Sequence, residues 1–129
     1  MYSELVQFYA VQAHALDEGR AQQWAASFTE DVKYGDLAGR AAVRSAAVDE
    51  AVRLAAEGVV RRRLVTNVRV RSFDDHVRAD AYLLVVDTVA GRSVIRAAGE
   101  FSDEVVASEG TWSVRRRRIT FDNADPVPL

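Results

Sequence analysis

The chain has 129 residues, 49% hydrophobic and 28% charged, so one domain over 1–129 with a single core is expected and a disordered chain is excluded. With no cysteine there is no disulfide framework, thiolate zinc site or thiol nucleophile. A net charge of -2 offers a polyanion no attractive field, which argues against a nucleic-acid partner. No apolar run approaches the roughly 20 residues of a membrane span. Met1 to Ala10 carries Glu4 and no basic cluster ahead of an apolar run, so it does not read as a signal peptide. A cytoplasmic protein without a membrane partner is the expectation.

The first predicted element is a helix from Tyr2 to Asp17. Leu5, Phe8, Tyr9 and Leu16 recur at helical spacing, Gln12 is the one polar member of that stripe, and Gly19 stops it. A shorter helix over Arg20 to Phe28 would bury Trp24 and Phe28, four residues apart, on one face. Thr29 to Tyr34 reads as a short strand broken by Gly35-Asp36, with a loop through Gly39. The Ala-rich run from Arg40 to Glu57 predicts a third helix, with Val43, Ala47, Ala51 and Leu54 on one stripe and Gly58 behind it.

From there the character changes to Val-, Arg- and Thr-rich stretches: Val60 to Phe73, His76 to Val89, Ser93 to Ala107 and Thr111 to Phe121. The turn-like links between them predict consecutive antiparallel hairpins. The reading is α+β: three N-terminal helices packed on a curved antiparallel sheet in a cone, with an extended tail from Asn123 to Leu129. Tyr82 to Val86 is apolar on both faces while the helices cover only one, which predicts a homodimer through the sheet.

The phrases Trp24-Ala25-Ala26-Ser27-Phe28-Thr29-Glu30-Asp31, Gly39-Arg40-Ala41-Ala42-Val43, Ala98-Gly99-Glu100-Phe101-Ser102-Asp103 and Glu109-Gly110-Thr111-Trp112, in this order, resemble the nuclear transport factor two-like (NTF2-like) superfamily. Within it the chain is similar to the SnoaL-like polyketide cyclases and to ring-hydroxylating dioxygenase β subunits. The resemblance implies a cone-shaped, cystatin-like fold with an apolar pocket for a small molecule. It also implies a cofactor-independent cyclase, dehydratase or isomerase acting by acid/base chemistry on a polyketide-like or aromatic intermediate. The alternative is a noncatalytic ligand-binding, accessory or dioxygenase-β-like subunit.

By that resemblance Asp36 stands where steroid isomerases place their base. A carboxylate that loses hydration in an apolar pocket becomes basic enough for this work; Gly35-Asp36 is equally a solvated turn. Asp17 matches the acidic residue near the end of the dehydratases' first helix, and Tyr34 their strand-end tyrosine. Arg63 stands near their histidine, which it does not replace as a proton shuttle because it stays protonated. Gln12 takes the place of the isomerases' oxyanion tyrosine. Trp24, Tyr82 and Trp112 would line a pocket or fill the core.

His14 and His76 are the only histidines and lie far apart in the predicted hairpins, so no metal site is expected. Arg115 to Arg118 would alternate across a strand, with one pair meeting Glu100 or Asp103 on its neighbour.

Overall fold

A computed structural model describes residues 1–125, Val127 and Leu129. Three helices, α1 (Tyr2–Asp17), α2 (Ala21–Ala25) and α3 (Arg40–Ala56), accompany six strands. The strands are β1 (Phe28–Tyr34), β2 (Leu37–Ala38), β3 (Val60–Ser72), β4 (Val77–Val89), β5 (Arg92–Ser108) and β6 (Thr111–Phe121). All form one sheet in the order β2-β1-β6-β5-β4-β3. The α+β architecture expected from the sequence is present.

Three features differ from expectation, the first being the short strand β2 where a loop through Gly39 was expected. The sheet is mixed, because β1 runs parallel to β6 while the other pairs are antiparallel. The helix expected to reach Phe28 ends at Ala25, because Ser27 accepts a hydrogen bond from the Val114 N–H and Phe28 opens β1. Pairing across the sheet overrides local helical spacing there. The expected extended tail includes Pro126 and Pro128, which lie outside the described residues.

Alternation along β4 divides the layers. Val77, Ala79, Ala81, Leu83 and Val85 are buried under the helices, whereas Tyr82 is 55% exposed on the opposite face. Leu5, Tyr9, Gln12 and Ala15 form the buried stripe of α1; Val43, Ala47 and Glu50 form that of α3. Trp24, Phe28 and Tyr34 pack edge-on with ring centres 4.9 to 5.9 Å apart, closing the core near β1. Among the described residues no helix is long and apolar enough to cross a membrane.

At Gly99 the backbone of β5 passes that of β6 closely. A Cβ at Gly99 would meet the Thr120 carbonyl oxygen at 2.3 Å, so only glycine fits. Gly99→Ala is expected to cost about 1–3 kcal/mol in urea denaturation, as overpacking does. Wild-type stability in that variant would show that the strands separate easily there.

Candidate functional site

Position 12 puts an amide in the apolar stripe of α1, and position 117 puts a guanidinium inside the sheet. Arg117 donates through Nε to Asp103 Oδ1 and through Nη2 to Asp103 Oδ2, both at 2.8 Å. Its Nη2 also donates to Gln12 Oε1 at 2.9 Å. The Tyr9 hydroxyl donates to Asp103 Oδ2 at 2.8 Å, so the fully buried carboxylate meets three donors. Gln12 Nε2 donates to Ser27 Oγ at 2.7 Å, fixing the amide's orientation.

Rings surround the cation. Arg117 Cζ lies 4.3 Å from the Phe101 ring centre, 5.3 Å from Phe28, 5.6 Å from Tyr34 and 5.9 Å from Tyr9. Burial works to strip the guanidinium of its proton, yet the Asp103 carboxylate outweighs it and Arg117 is held above its usual range. Burial raises the Asp103 carboxyl, against the pull of Arg117 and the Tyr9 hydroxyl. Burial likewise raises both phenols, Tyr9 with help from Asp103 and Tyr34 against the Arg117 charge.

A second charge network joins the helices to β3 and β4. Arg63 Nη1 donates to Asp17 Oδ1 at 2.7 Å, and its backbone N–H to Asp17 Oδ2 at 3.0 Å. Arg63 Nη2 reaches Glu50 Oε1 at 3.1 Å, the same oxygen that takes Arg61 Nη1. Arg61 grips Asp87 with two parallel bonds of 2.8 and 2.9 Å. Hydrogen bonds from Arg61 hold the Asp87 carboxyl below its usual range.

Between these networks lies an interior cavity of about 30 Å³. Tyr9, Gln12, Tyr34, Arg63 and Arg117 are its polar lining, while Trp24, Leu83, Phe101 and Leu129 contribute to its apolar walls. Five residues that carry N–H or O–H groups thus border one space with room for about one water molecule, and Tyr9, Gln12, Arg63 and Arg117 already donate to protein partners. Side chains fill most of the interior and leave little free space.

The structure brings Tyr34, Gln12, Trp24 and Arg63 to this cavity. Asp17 reaches it only through Arg63, which it holds. Asp36 is exposed in the turn between β1 and β2 and lines none of the described cavities, so its placement gives no base for a ligand inside. Alternation puts Tyr82 on the other face, where with Leu64, Leu84 and Gly99 it lines a groove of about 400 Å³. Trp112 is half-buried near the far end of β6, its Nε1 3.4 Å from Glu4 Oε2.

Tyr9, Arg117 and Glu50 escaped notice as site residues, although each left a trace. Tyr9 lies three residues before Gln12 on one helical face, and Glu50 three after Ala47 on a buried stripe. Arg117 meets Asp103 directly across the strands, as alternation suggested, but a bulge between Glu104 and Val105 breaks the pattern at Arg115. Arg115 pairs with Glu104 and Asp75, leaving Arg117 as the buried member of the run. Among the described residues no group of three or more His, Asp or Glu side chains is placed to hold a metal ion.

Two measurements follow from the buried groups. Asp103→Asn leaves the Arg117 charge uncompensated and is expected to cost about 3–5 kcal/mol in urea denaturation. At alkaline pH the native chain keeps protons on Tyr9 and Tyr34 that the unfolded chain releases near pH 10, so stability falls as pH rises through that value. Tyr34→Phe should flatten this dependence, and an unchanged slope would contradict it.

The sequence model of the SnoaL-like domain family matches residues 1–118. Aln2 from a Streptomyces species is 28% identical, with a TM-score of 0.86 over 94% of this chain and 90% of that one. A Catenulispora acidiphila protein solved in complex with S-DNPA is 28% identical, with a TM-score of 0.84 over 94% of this chain and 92% of that one. An NTF2-like protein with a cystatin-like fold from Novosphingobium aromaticivorans, 21% identical, superposes with a TM-score of 0.81 over 96% of this chain and 83% of that one. No curated protein matches the chain.

Proposed function

The chain belongs to the SnoaL-like domain family, and we propose that it is a cyclase, dehydratase or isomerase acting in the cytoplasm on a polyketide-like or other aromatic intermediate, without a cofactor. The observation that carries this reading is the convergence of Tyr34, Gln12, Arg63 and Arg117 on one apolar-walled cavity. They border a small space with apolar walls, where a fixed N–H or O–H does most to stabilise an enolate as its charge develops. Burial keeps the Tyr34 hydroxyl protonated, which leaves its proton available for a hydrogen bond to a developing oxyanion. The C. acidiphila relative solved with S-DNPA supports a small molecule as the ligand.

Free space of about 30 Å³ admits no aromatic substrate as it stands, so the reading requires the interior to open around its ligand. A second reading, a noncatalytic protein that holds an intermediate or joins a larger assembly, is favoured by one observation. Among the described cavity-lining residues there is no carboxylate or imidazole to accept a proton. Hydroxylated aromatic ketones offered to the full chain separate the two. The enzyme reading expects turnover that falls about 10²–10³-fold in Tyr34→Phe and persists in Asp36→Asn. Binding without conversion supports the second reading, and turnover indifferent to Tyr34→Phe removes that residue from the chemistry.

The proposal includes a homodimer through the outer face of the sheet, where Leu64 is 42% and Tyr82 55% exposed beside one groove. Sedimentation should show a dimer that Tyr82→Glu converts to monomers. A monomeric wild type overturns this part.

A further inference from the structure

Beside the interior cavity, between the end of α1, α3 and the start of β3, lies an open cleft of about 260 Å³. Ala47, Leu54 and Val59 give it apolar walls, and Asp17, Glu50 and Arg63 also line it. Leu16 and Arg63 line both the cleft and the interior cavity, so these two side chains form the wall between them.

The bonding around Arg63 is asymmetric in a way that singles it out. Arg61 is locked by the two-bond grip of Asp87 in addition to Glu50. The Arg63 side chain has only Asp17 and Glu50. If it swings away, Asp17 keeps the Arg63 backbone N–H and Glu50 keeps Arg61, so neither carboxylate is left bare. Two polar atoms in the network, Arg63 Nε and Glu50 Oε2, are buried without a hydrogen-bond partner, on side chains that are 6% and 4% exposed. A closed network leaves few such atoms. One is a donor and the other an acceptor: a carbonyl or hydroxyl oxygen of a ligand would accept from Arg63 Nε, and a hydroxyl would donate to Glu50 Oε2.

We propose that the Arg63 side chain is a movable partition, that ligand enters through this cleft, and that displacement of Arg63 joins cleft and cavity into one pocket. The joined space approaches the roughly 300 Å³ at which ligand pockets begin. The proposal rests on the interior cavity being the ligand site. It adds that Arg63 governs entry, and that Arg63 Nε and Glu50 Oε2 meet the oxygens of the incoming molecule, a hydroxylated aromatic ketone.

Stopped-flow fluorescence with the neutral aromatic ketone prodan, on the full chain, tests it. Arg63→Met removes both anchors at similar length and should raise the association rate constant about tenfold, a barrier change of about 1.4 kcal/mol, and the dissociation rate constant at least as much, because the Arg63 contact to the ligand is lost as well. Arg63→Lys, which holds only one carboxylate at a time, should give a smaller rise and serves in its place if the Met variant loses its fold by circular dichroism. Rates unchanged in the folded Arg63 variants overturn the proposal. Acceleration confined to Leu129→Ala overturns it as well, by placing the entrance on the opposite wall. Failure of prodan to bind the wild type sinks partition and cavity together, whereas turnover lost in Tyr34→Phe with Arg63 rates unchanged keeps the enzyme reading and removes only the partition.

Discussion

The pair between Arg117 and Asp103 is the contact on which the interior depends. Both groups are buried, and neither would be tolerated there alone, because a bare charge away from water is among the costliest things a fold can contain. The fork of two bonds, the Tyr9 hydroxyl and the Gln12 amide answer both charges at once. Four aromatic rings then occupy the space around the cation and keep water out. Because Tyr9 and Gln12 belong to α1 while Asp103 and Arg117 belong to β5 and β6, the same bonds set the angle of the helix on the sheet.

The second network does for α3 and β3 what the first does for the centre of the sheet. Glu50 shares one oxygen between Arg61 and Arg63, and Asp17 ties the end of α1 to the Arg63 backbone and side chain. Apolar packing brings the helices to the sheet, since it rewards area without regard to direction. The directional bonds of the buried charges select one arrangement among those that would bury similar area. The cavity is what remains between the two networks, which is why its polar lining comes largely from the residues that hold the fold together.

Much of this was legible in the chain. The stripe Leu5, Tyr9, Gln12 and the run Val43, Ala47 appear as periodicity, and the four long strands with their turns lie within a residue or two of where they were expected. Tyr34, Gln12, Trp24 and Arg63 stood out as candidates and do meet at one cavity. Asp36 was placed by resemblance, with a solvated turn as its other reading, and it lies exposed in that turn; Tyr82 was an aromatic for pocket or core and lies on the outer face. Facing toward or away from the helices depends on register, and a shift of one residue reverses it. The bulge at Arg115 is the same problem on a smaller scale: alternation holds only until an extra residue interrupts the ladder.

What the order of residues determined by itself was local: which segments are helix or strand, which face of each is apolar, and that an amide sits on the buried face of α1. Those properties follow from spacing within a few residues of backbone. Only the tertiary structure decided that β1 lies parallel to β6, that Arg117 rather than its neighbours is buried, and that Arg63, Asp17 and Glu50 meet although 46 residues separate Arg63 from Asp17 and 13 separate it from Glu50. The reason is that a buried charge goes wherever a partner can satisfy it, and that partner is chosen by the folded geometry of distant segments rather than by any pattern along the chain.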